Sequence, residues 1–86
     1  MEEYLFVVER LEWSDNFENR DFWEDRHLCV VCQTLDKAKA FAEENAQNAG
    51  VPMRWRGDLV YSGRDVVDGE TEYGLRYEIH RIRTLY

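Results

Sequence analysis

The segment 34–50, TLDKAKAFAEENAQNAG, reads unambiguously as a helix, and it sets what the rest of the chain must provide. Leu35, Ala38, Phe41, Ala42, Ala46 and Ala49 recur at three- and four-residue steps and draw one apolar stripe. Lys37, Lys39, Glu43, Glu44, Gln47 and Asn48 fill the other side. Thr34 is the expected N-cap, with Asp36 in the first turn, where a carboxylate favours the positive end of the helix dipole. Gly50 followed by Pro52 supplies the stop. Because the stripe is mostly alanine, the helix can lie close to a sheet, with Phe41 as its main anchor.

The flanking blocks supply that sheet. Residues 4–11 (YLFVVERL) are apolar on both faces at their start, as a central strand would be, and residues 27–33 (HLCVVCQ) read as a second strand pairing with the first. After the helix, residues 53–61 alternate as Met53, Trp55, Gly57, Leu59 and Tyr61 against Arg54, Arg56, Asp58 and Val60. Residues 71–83 alternate more cleanly, with Tyr73, Leu75, Tyr77 and Ile79 against Gly74, Arg76, Glu78 and His80. The expected fold is a single α+β domain over residues 1–86, laid out ββαββ, with a mainly antiparallel four-stranded sheet and one helix packed on one face. Asp68-Gly69 is the better turn between the last two strands, but a perfect ladder from it mixes core and solvent faces. One extra residue restores the faces, and a glycine bulge at Ser62-Gly63 is the expected place, setting Tyr61 opposite Leu75.

With 86 residues the chain is near the small end for a self-sufficient core, and aromatics at 14% have to supply much of it. The net charge of −7 argues against binding nucleic acid directly or an anionic membrane, since phosphate contacts come from clustered Lys and Arg. It suits a protein partner with a basic surface. The acidic Met1-Glu2-Glu3 start and the absence of a long apolar run imply no membrane and a cytoplasmic location.

Residues 13–25 (WSDNFENRDFWED) least resemble ordinary framework. Trp13, Phe17, Phe22 and Trp23 sit among Asp15, Glu18, Asp21, Glu24 and Asp25, with Arg20 in opposition. The stretch reads as a long connection after the first strand, above ordinary hairpin length, and such loops are commonly functional. Its aromatics either cap an open end of the core or bind a partner, and partner binding is the expectation adopted, with Glu43 and Glu44 as possible additions. Cys29 and Cys32 form a CxxC, yet within a strand residues three apart point to opposite faces. The two sulfurs then diverge, and two small buried thiols are expected instead of a redox or metal site.

Catalytic motifs are not found. The chain has no GxGxxG, no phosphate-binding loop and no GxSxG around Ser14 or Ser62. Asp15, Phe17, Asn19 and Asp21 alternate as in a calcium loop, but Phe17 falls where an oxygen ligand is required. Neither enzyme activity, cofactor nor metal is therefore expected. Arg54, Arg56, Arg76 and His80 share the outer face of the last hairpin and form an alternative site for a small anion, weakened by the interleaved Asp58 and Glu78. Leu5, Val7, Cys29, Val31 and Val60 fall on a face that one helix leaves open, so a homodimer through that face or an edge strand is a further expectation.

The order strand, strand, a helix opening with TLDKAKAFAEENA, then a closing YGLRYEIHRIR resembles small uncharacterised proteins common in phages and prokaryotic accessory regions. Some of those are inhibitors of host defence or nucleic-acid enzymes, and some mimic DNA with carboxylates. The resemblance implies an acidic inhibitor and assigns no role to any residue. The arginines of the last two strands depart from an all-acidic mimic.

Overall fold

In the computed structural model, which describes residues 2–16, 21–66 and 69–85, six elements follow one another: β1 (Glu2–Asn16), β2 (Asp21–Cys32), α1 (Leu35–Asn45), β3 (Met53–Trp55), β4 (Val60–Val66) and β5 (Thr71–Leu85). The strands form one antiparallel five-stranded sheet of order β2-β1-β5-β4-β3. This corrects the expected four-stranded ββαββ layout. The segment read as a third strand is two strands, because Gly57 takes φ 76 and the chain reverses there. The Arg56 N–H donates to the Val60 carbonyl at 2.7 Å and closes a three-residue loop of Gly57, Asp58 and Leu59.

β1 and β5 are the centre. They pair without interruption from Glu2↔Leu85 to Asn16↔Thr71. Side chains alternate between faces, so Val8 opposite Ile79 points toward the helix, and Val7 opposite His80 points away. The core gathers Val8, Leu75, Tyr77 and Ile79 from the centre with Ala38, Ala42 and Ala46 from the helix. Phe6, Val30, Phe41, Met53, Trp55 and Tyr61 pack around them.

Two register details differ from expectation. β4 and β5 run in unbroken register from Val60↔Glu78 to Val66↔Glu72, with Tyr61 opposite Tyr77 and no bulge at Ser62-Gly63. The extra residue lies in the turn, where Gly69 takes φ 81; Asp68 lies outside the described residues. A connection with an odd number of residues restores the faces without disturbing the ladder. The bulge is in β2 instead, between the pairs Val8↔Val30 and Glu9↔Leu28, and Cys29 is the extra residue.

Thr34 caps α1 as its sequence implies, its Oγ1 accepting from the Lys37 N–H at 3.1 Å. The helix stops at Asn45, earlier than expected, with Ala46 as C-cap. Ala38 and Ala42 are wholly buried, so the helix backbone approaches the sheet closely. At 11 residues it is about 16 Å long, against a longest molecular dimension of 54 Å. The sheet therefore runs well past its cover. No helix among the described residues is long and apolar enough to cross a membrane.

The closeness of helix and sheet is testable. Ala42→Leu has no room for its added carbons and should destabilise the fold by about 1–3 kcal/mol, read as a lower urea midpoint with unchanged slope. An unaltered midpoint would show that the alanine stripe is not a tight contact.

Candidate functional site

The acidic aromatic stretch is not a long loop. Residues 13–16 end β1 and residues 21–25 begin β2, so the stretch is the far arm of a hairpin. The expected contact residues Phe17 and Glu18 lie outside the described residues, as does the side chain of Asp21. Trp13 sits directly opposite Gly74 of β5, and its indole fills the space that a Cβ at 74 would need. It is half-buried and serves as framework for the arm. Asp15 is also half-buried, paired with Phe22 and Glu72.

The exposed part of the set is the edge strand. Phe22 keeps 58% of its surface in solvent and Trp23 keeps 46%, with Glu24 and Asp25 exposed beside them. Further along the same strand Leu28 and Val31 are also exposed. Asp25 pairs with His27 at 2.7 Å along the strand. Glu43 has a local partner, accepting from the Trp55 indole N–H at 2.9 Å. Lys39 lies 4.9 Å from the centroid of the same ring.

On the face turned away from α1, Glu9 of β1 lies directly opposite Glu78 of β5. Like charges in that position repel. Arg26 reaches from β2 across β1 to bond both carboxylates, and Arg76 and His80 approach Glu78 at 3.4 and 3.5 Å. Contact with Glu9 raises the Arg26 pKa further above its ordinary value. Donor atoms of Glu9, Glu78 and His80 lie within 4.8 Å of one another, a spacing that a divalent cation could use. The Arg26 guanidinium already bridges the two carboxylates, so the cluster reads as a neutralising clasp.

The four residues of the alternative anion site are only partly brought together. Arg56 and Arg76 line one cleft of about 330 Å³ beside Ser62, Arg64 and Trp13. Arg54 stands opposite Ser62 in the β3–β4 ladder but outside that lining. His80 borders a different cleft, with Phe6, Leu35 and Leu59. Reading the sequence missed Arg64 and the position of Trp13. The available signal was Gly74, since a glycine inside a clean strand marks a close approach by a neighbour.

Cys29 and Cys32 are both free thiols. Cys32 packs against the core, and burial pushes the Cys29 thiol pKa up, which disfavours the reactive thiolate. On the helix face beyond α1, Tyr73 donates to Glu12 at 2.9 Å, and Arg10 pairs with Glu12 at 2.8 Å. Burial and the Glu12 carboxylate both raise the Tyr73 phenol pKa and keep it protonated as a donor.

Comparison of the chain with known protein families, with curated proteins and with solved structures finds no match.

Proposed function

We propose that the chain is a non-enzymatic protein-interaction module that presents β2 to a basic protein surface. The reading rests on one observation: the outer edge of the sheet carries Phe22 and Trp23 about half in solvent, one on each face, flanked by Glu24 and Asp25. Aromatic side chains dominate binding hot spots because they bury large area at low entropy cost. The neighbouring carboxylates would steer a cationic partner and keep the aromatics soluble while unbound. An edge strand also offers unpaired backbone groups to which a partner strand can add. The net charge of −7 suits an inhibitor that competes with an acidic ligand for a basic surface, as in the phage-type proteins that the chain resembles.

Affinity capture from the native host tests this reading with three variants. A basic protein should be retained by the wild type at about 0.1 M salt and released as screening rises. It should be lost from Trp23→Ala and from Glu24→Lys, and kept by Glu3→Lys at the opposite end of the sheet. Trp23→Ala should cost about 1 kcal/mol or less in stability, well below the loss for a fully buried tryptophan. Identical capture by all variants, or unfolding of Trp23→Ala, would show that the arm is framework.

A specific feature favours a second reading, self-association. Val31 and Ile82 are half in solvent on the open face, where they flank Val7 and Leu5. One helix covers the other face, and a second copy would cover this one. Sedimentation should give a dimer mass as concentration rises from micromolar to millimolar, and a monomer mass throughout would overturn it.

A further inference from the structure

The cleft at the arm end of the open face is built from residues that separate elements bring together. Ser62 and Arg64 of β4 stand directly opposite Arg76 and Gly74 of β5. Arg56, from the turn after β3, donates its Nε–H to the Ser62 Oγ at 3.2 Å and so points over the same spot. Trp13 of β1 forms the far wall, seated over Gly74 because that position has no side chain. Three guanidiniums and an indole thus border a volume of about 330 Å³, within the lower range of small-molecule sites.

The arginines are not consumed by local carboxylates. Arg64 is 3.5 Å from Glu72 and Arg76 is 3.4 Å from Glu78, both longer than a tight charge-assisted bond. Among the described residues, Arg56 has the Ser62 hydroxyl and no carboxylate for a partner. Each guanidinium carries five donors, so several remain for an incoming oxyanion. The chain as a whole is negative, at −7, yet three guanidiniums face two carboxylates around this cleft. Glu24, the partner of Trp13 on β2, is not among the residues that line the cleft.

From this geometry we infer that the cleft binds a small phosphorylated planar ring, of the mononucleotide class. Arg56, Arg64 and Arg76 hold the phosphate, the Ser62 hydroxyl completes its hydrogen bonding, and the ring stacks on Trp13. Arginine suits a phosphate because its planar fork bonds two oxygens at once. A tryptophan face accepts a base regardless of the edge it presents. The overall negative charge disfavours a polyanion, so the ligand is a single nucleotide and not a nucleic-acid strand. Among the described residues, none from β2 lines this cleft.

Calorimetric titration with adenosine monophosphate, inorganic phosphate, adenosine and a short single-stranded oligonucleotide separates the contributions. Adenosine monophosphate should bind about tenfold tighter than inorganic phosphate, the increment of one stacked base. Arg56→Ala and Arg76→Ala should each weaken it by about tenfold. Trp13→Leu should bring adenosine monophosphate and phosphate to equal affinity. Should Trp13→Leu lose its folded circular dichroism, the comparison of adenosine monophosphate with phosphate on the wild type decides the stacking contribution alone. Equal affinity for the two on the wild type, no saturation at millimolar ligand, indifference to both arginine substitutions, or tighter binding of the oligonucleotide would each overturn the assignment.

Discussion

The uninterrupted pairing of β1 with β5 is the constraint on which everything else depends. These two strands meet from Glu2↔Leu85 to Asn16↔Thr71, joining the two ends of the described chain. Their contact is long-range in sequence, so it is formed only against loop-closure entropy and has to be held by side chains. Val8, Leu75, Tyr77 and Ile79 do this on one face, under an alanine-lined helix that lies close enough to exclude water. On the other face the Arg26 clasp removes the repulsion between Glu9 and Glu78. β2 and β4 then add to the outer edges of this pair, and β3 adds to β4.

One short helix on a long sheet has functional consequences. Past the end of α1 the hairpin arm has solvent on both faces, so its strands need no apolar stripe and can carry acids and aromatics together. The edge strand and the arginine cleft both arise there, on a frame held by its backbone ladder. Trp13 links them: its indole packs over Gly74, steadies the arm, and forms one wall of the cleft. The aromatics of the arm therefore divide. Trp13 is framework, while Phe22 and Trp23 remain in solvent.

Much of the central fold was legible in the residues. The cap at Thr34, the alanine stripe and the alternation of Tyr73, Leu75, Tyr77 and Ile79 each report a burial pattern that one helix on one sheet face imposes. The arm was not legible as sheet, because a strand with water on both faces loses the alternation that identifies it. Gly57 falls in step with the alternation of Trp55 and Leu59 in the sequence, yet its positive φ makes it a turn residue that splits the segment in two. The need for one extra residue in the last hairpin was visible from the faces, but its location was not, since a longer turn and a bulge restore parity equally well. Of the anion-site set, Arg56 and Arg76 meet, whereas Arg64 and Trp13 join them through a ladder that only the fold defines.

Amide hydrogen exchange along β2 tests the central claim most directly, that this strand is an unpaired edge on a sheet organised around β1 and β5. Amides of residues 7–11 and 75–79 should exchange slowest, through global opening. Along β2, alternate amides that face β1 should be protected while those facing outward exchange rapidly. Uniform protection of both sets along β2 in the isolated protein, or rapid exchange at the centre of β1 and β5, would contradict it.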